Sequence, residues 1–95
     1  MKYGILIHEA ADDVGVAVLD LQSGSDIGVA TLEGDSIGSL AIVEEIPLGH
    51  KVAMRDLSAG KEVIEYGRPI GKTTQAIAKG AHVHVHNIKT MRWSS

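Results

Sequence analysis

The chain has 95 residues, 44% hydrophobic and 22% charged, with a formal charge of −3, the profile of one ordinary globular domain. Cysteine is absent, which removes disulfide scaffolds, zinc ribbons, chain-borne iron–sulfur ligation and thiol nucleophiles. The acidic balance argues against a nucleic-acid partner, and no apolar run approaches the roughly 18 residues of a membrane span.

With one Trp, two Tyr and no Phe, the core has to be aliphatic and modest in size. Eleven Gly against two Pro favour tight turns over long helices. The first element is a strand. Tyr3, Ile5 and Ile7 alternate with Gly4, Leu6 and His8, the signature of a half-buried strand. This run is too short for a signal peptide and meets His8 and Glu9 at once, so the expected location is the cytoplasm. Val14, Val16 and Val18 alternate in the same way. Further strands are expected at 26–32, 36–43, 50–56, 62–66 and 70–75, with a hairpin turn at Gly34 and Asp35. Only 73–78 has any helical reading. The last strand carries Val83 and Val85 between His82, His84 and His86. The expectation is a mostly β fold of eight short strands with at most one or two helical turns. Residues 1–87 form its domain and 88–95 a polar tail.

One pattern recurs along the chain: an aliphatic residue, two residues, Gly, two residues and another aliphatic. Its copies are Leu21-Gly24-Ile27, Ile46-Gly49-Val52, Leu57-Gly60-Val63 and Ile77-Gly80-Val83. Each reads as a chain reversal in which Gly supplies a positive φ without a Cβ penalty. Such turns suit an architectural repeat or a generic small β domain.

Five His in so short a chain, three in one run, are the sharpest chemical feature. On a straight strand His82, His84 and His86 share a face at ~6.6 Å spacing, which leaves the outer pair ~13 Å apart. Two neighbours at most then share an ion, with further ligands from His8, His50, Asp12, Asp13 or another chain. Neutral imidazoles suit Fe, Zn, Ni or Cu. The alternative is a surface or partner-contacting role. His50 and Lys51 point to opposite faces after the Gly49 turn, and Lys51 shares its face with Arg55. These two cations suit a carboxylate or sulfonate substrate, or form a solvated basic edge. His8 with Asp12 and Asp13 reads either as an acid–base or metal constellation or as a turn-capping Asp pair. The segment Gly67 to Thr73 falls one residue short of a phosphate-binding P-loop and lacks its strand and helix.

Together, Ile7-His8 with Asp12 to Val18, Ile46 to Ala53, Val63 to Gly71 and Gly80 to Asn87 resemble the N-terminal SAF domain of the altronate/galactarate dehydratase family. The resemblance covers nearly the whole chain and is most specific from Ile46 to Asn87. It implies a β-clip fold of bent hairpins. It also implies half of an enzyme, fused to a larger domain in some members and a separate small subunit in others, such as sulfolactate sulfo-lyase. The implied reaction is β-elimination of water or sulfite from a hydroxy acid. That makes the chain a carbon–oxygen or carbon–sulfur lyase subunit, inactive without its large subunit. A divalent metal, iron by the resemblance, is held by or shared with that subunit. The implied catalytic residues are His8, His50 and Lys51, the substrate-binding residues Tyr66, Asn87 and Arg55, and the metal ligands His82, His84 and His86. Asp13 departs from the Asn expected in many dehydratases. The implied partners are the large subunit and a hydroxy acid, with a homo-oligomer also open and no nucleic acid or membrane. The contrasting expectation is a non-catalytic sugar-acid-binding or assembly module, since fold alone does not fix function.

Overall fold

The computed structural model describes residues 3–90. It contains nine strands: β1 Ile5–Ile7, β2 Val14–Ala17, β3 Asp26–Thr31, β4 Ser36–Ala41, β5 Lys51–Ala53, β6 Glu62–Glu65, β7 Arg68–Thr73, β8 His82–Val83 and β9 Ile88–Thr90. Six form one sheet in the order β4-β3-β1-β2-β5-β8, and three form a second, β6-β7-β9. Only β1 and β3 pair in parallel. The mostly β expectation holds, and the strands are the short bent hairpins of a β-clip.

The four Gly turns organise the whole fold. Gly24, Gly49, Gly60 and Gly80 all sit at positive φ, between 78° and 88°. Three of the turns close with a bond across four residues: Ser25 N–H to the Gln22 carbonyl, His50 to Pro47, and Ala81 to Ala78. A positive φ at the third position of such a turn is the type II requirement that Gly meets. The aliphatic anchors before the turns then pair two by two, Leu21 with Ile46 and Leu57 with Ile77, through reciprocal backbone bonds of 2.8–2.9 Å.

This pairing exposes an internal duplication. An Asp-Leu turn, a β-hairpin, an Ile turn and a short strand run from Asp20 through β3, β4 and Ile46 to β5. The same order runs from Asp56 through β6, β7 and Ile77 to β8, with a shorter hairpin. The Asp20 carboxylate accepts the Leu48 N–H and the Asp56 carboxylate accepts the Lys79 N–H, each at 2.8 Å and in the equivalent place.

Each half has its own aliphatic core. Leu21, Ile42, Ile46 and Val52 pack with Ile5, Ile7, Val29 and Leu40 in the first. Val14, Ala53, Leu57, Val63, Ile77, Ala81 and Val83 form the second, with Ile70 and Ile88 against it.

Three expectations need correction. The segment 73–78 is not helical: β7 runs to Thr73, and Ile77 is drawn into its bridge with Leu57. The last strand stops at Val83, and the chain turns through 84–87, leaving Val85 79% exposed. Ile88–Thr90, taken as part of a tail, adds to the second sheet beside β7. The rest of that tail, 91–95, lies outside the described residues.

Candidate functional site

The Gly49 turn delivers His50 and Lys51 into β5, and β8 lies directly alongside, with Lys51 opposite Val83 and Val52 opposite His82. Beyond Val83 the backbone folds back, and a single buried side chain fixes it. The Asn87 carbonyl oxygen accepts the His84 N–H at 3.0 Å, and its amide group donates to the His82 carbonyl at 2.7 Å.

The turn gathers what a straight strand would separate. The His82 and His86 rings, expected ~13 Å apart on a straight strand, have centroids 5.1 Å apart. His84 stacks on His50 with centroids at 4.3 Å. His50 Nδ1 and His82 Nε2 are hydrogen-bonded at 2.8 Å, one ring donating and the other accepting. One ring nitrogen from each of His50, His82 and His84 lies within 4.8 Å of the others. Burial lowers the His82 pKa below its ordinary value, helped by the neighbouring His50, His86 and His84, while Glu44 opposes the shift. A ring kept neutral is the ligand form of histidine.

These residues fit a divalent ion. A tetrahedral ion with metal–nitrogen bonds of ~2.1 Å holds its ligand nitrogens ~3.4 Å apart, between the hydrogen-bonded His50–His82 separation of 2.8 Å and the 4.8 Å span of the group. The fitting set is therefore His50 just before β5, His82 in β8 and His84 just after it. His86 touches His82 but stands outside the group of three.

An open cleft of about 460 Å³ adjoins the cluster. His50, Lys51 and His84 stand on its walls, and Val83, Val85 and Ile88 supply its apolar surface. Lys51 also reaches a second group of residues. Its ammonium is 3.8 Å from the Glu65 carboxylate. Glu65 lines a smaller groove of about 210 Å³ together with His8 and Tyr66, whose rings approach to 4.5 Å. Burial raises the Glu65 pKa above its ordinary 4.5, Lys51 pulls it back, and Asp12 adds to the rise.

Asp12 and Asp13 are buried and engaged in holding the chain together. Asp12 accepts the N–H groups of Tyr66 at 3.0 Å and Gly67 at 3.4 Å, clamping the tip of the β6–β7 hairpin. Both tip residues have positive φ, 59° at Tyr66 and 72° at Gly67, which is the type I′ turn. Asp13 accepts the Ile64 N–H and the Lys61 ammonium, both at 2.9 Å. The turn-holding reading of this pair is the one that fits.

Arg55 is not beside Lys51. Strand β5 ends at Ala53, so the alternation that put both cations on one face stops there. The guanidinium instead donates to the carbonyls of Ala10 and Asp12 and lies 3.6 Å from Asp13. Asn87 spends its side-chain amide on the His turn, through the bonds to His84 and His82. His8, His50, Lys51 and Tyr66 are brought into one strip through Glu65, which the sequence reading missed. The signal was present: Val63 and Glu65 share a strand face, so a carboxylate is aimed where a core residue is expected.

The altronate/galactarate dehydratase SAF domain model matches residues 2–91. Over 94 residues the chain is 39% identical to the (2R)-sulfolactate sulfo-lyase subunit alpha of Chromohalobacter salexigens, covering 98% of this chain and 100% of that protein. It is 40% identical over 90 residues to altronate dehydratase of Escherichia coli, covering 95% of this chain but only 17% of the dehydratase. Galactarate dehydratase of E. coli matches over 79 residues at 37% identity, 14% of its length. The chain belongs to the altronate/galactarate dehydratase SAF domain family.

Proposed function

We propose that this chain is the small subunit of a cytoplasmic hydroxy-acid lyase, completing an active site built mainly by a larger chain. The reaction is β-elimination of water or sulfite. One observation carries the reading: four imidazoles and Lys51 converge beside an open cleft in a chain that aligns end to end with a sulfo-lyase subunit. The cleft lies on the surface, so a second chain is needed to close it and exclude water.

In this reading His50, His82 and His84 hold a divalent ion, iron by family resemblance, alone or with ligands from the large subunit. When bound, the ion supplies Lewis acidity to a substrate oxygen. Lys51 binds the substrate carboxylate and is oriented by Glu65. His8, braced by the Tyr66 ring, serves proton transfer at the rim. Asn87 fixes the turn that aims His82 and His84.

The test is reconstitution. The chain is co-expressed with a large subunit of the family, and elimination is assayed on sulfolactate and altronate with and without iron. The complex is expected to turn over one of them, the isolated chain neither, and His84→Ala to abolish activity without unfolding the subunit. Activity of the isolated chain sinks the proposal. Full activity of the His84→Ala complex points instead to a non-catalytic binding or assembly module.

A further inference from the structure

The cleft beside the His turn carries more positive charge than the turn explains. Lys89 lines it together with Lys51, His50 and His84, and no carboxylate does. Lys51 has Glu65 at 3.8 Å. Among the described residues, Lys89 makes no ion pair. Its direct neighbour across the β7–β9 ladder is another cation, Lys72. On the far side of Lys72 stands Glu62, so the row Glu62–Lys72–Lys89 has one cation in excess. Like charges directly opposite each other destabilise a sheet. The excess occurs in a chain whose net charge is −3, and it falls at the edge of the cleft.

We infer that Lys89 is the second anion-binding residue of this cleft, in the place the sequence gives to Arg55. Lys51 takes one anionic end of a small ligand and Lys89 the other, so the cleft selects a dianion over a monoanion. A lysine ammonium is a point charge without a fixed hydrogen-bonding fork, so a sulfonate and a second carboxylate both satisfy it. The inference rests on the lyase-subunit reading and narrows its substrate class to acids charged at both ends. Lys89 is then a specificity-determining residue, and its loss affects ligand choice more than turnover.

The test is titration of the full ¹⁵N-labelled chain, followed by NMR at fixed ionic strength. The probes are (2R)-sulfolactate, malate and lactate, which share a short hydroxy-acid skeleton and differ in their second anionic group. Both dianions are expected to bind at least ~10-fold more tightly than lactate, with amide shifts concentrated at 49–51 and 83–89. Lys89→Gln brings the dianions to within ~3-fold of lactate. Lys79→Gln, a charge loss outside the cleft, leaves the preference intact. Equal binding of all three probes by the unaltered chain overturns the inference. So does a preference that survives Lys89→Gln, or one lost equally in Lys79→Gln. Binding of sulfolactate but not malate assigns the second group as a sulfonate, and the reverse as a carboxylate. A Lys89-dependent preference in a chain whose complexes eliminate nothing defeats the lyase reading alone. An active complex with no such preference defeats this inference alone.

Discussion

The two halves of the duplicated unit share a scaffold and divide the chemistry. Both begin with an Asp-Leu turn, raise a hairpin, return through an Ile turn and end in a strand. In each, an Asp carboxylate holds the second turn of its own half. The difference lies at the ends. After β5 the chain passes through a bend at Met54 and Arg55 into the next Asp-Leu turn, whereas after β8 it is folded back by Asn87 into the His turn. The first half contributes His50 and Lys51 at the end of a turn that also serves the scaffold, and the second contributes His82 from β8 and His84 from a turn added beyond it. The repeat therefore explains where the site lies, and the departures from the repeat explain what it contains.

Equivalent glycines give the largest expected contrast. A Cβ at Gly80 runs into the Ala41 carbonyl oxygen, while one at Gly49 meets nothing within 4 Å. Gly80→Ala is expected to cost at least ~3 kcal/mol, combining backbone clash with positive φ, and Gly49→Ala about 1 kcal/mol. Chemical denaturation of the two variants checks this, and equal losses refute the contrast. Next come the ligands. His50→Ala and His82→Ala are expected to weaken Co²⁺ binding at least ~10-fold, and His86→Ala by no more than ~3-fold. Spectroscopic titration reads it. A dominant effect of His86 returns the site to the single histidine run. Asp20→Ala and Asp56→Ala are each expected to cost about 1 kcal/mol and to add in the double variant. Unequal losses in thermal melts would show that the halves are not energetically alike.

The hairpin tips differ too. The tip of the first hairpin has Gly34 at a positive φ, whereas that of the second has Tyr66 as well as Gly67 there. Tyr66→Asn restores the favoured Asn-Gly pair and is expected to add roughly 0.5–1 kcal/mol, while lowering turnover of the reconstituted complex. A variant that gains stability and keeps full activity removes Tyr66 from the site. The smallest effect concerns Glu65. Its pKa is raised in the folded chain, so the folded state binds more protons than the unfolded state in the window starting near 4.5. Stability from this group is present below that value and lost as pH rises through the folded pKa. Glu65→Gln is therefore expected to stabilise at pH 7, with the gain vanishing below pH 4. A gain independent of pH refutes the burial argument.

Much of this was legible because aliphatic alternation and the Gly turns act locally. The strands at Ile5–Ile7 and Val14–Ala17 follow from period-two patterning, and all four Gly turns from the residue that takes a positive φ without a Cβ penalty. The site was half legible. His50 and Lys51 were found, but period-two reasoning carried the last strand straight through His84. The Asn87 side chain ends it, and a side chain that captures backbone three and five residues back leaves no periodic trace. Arg55 was misplaced for the same reason, since β5 stops short of it. The partnership of His50 with His82 depends on β5 meeting β8, a long-range pairing that no local pattern encodes.

That pairing has a kinetic consequence. Strands β2, β5 and β8 lie side by side although the chain travels through a hairpin between each of them, and Asp12 reaches across to residues 66 and 67. Contacts this remote in sequence fold in milliseconds to seconds. The His site joins a residue from the middle of the chain to residues near its end, so its geometry depends on one of these remote pairings. A bound ion then acts as a latch on the finished domain. Metal should slow unfolding more than it speeds folding.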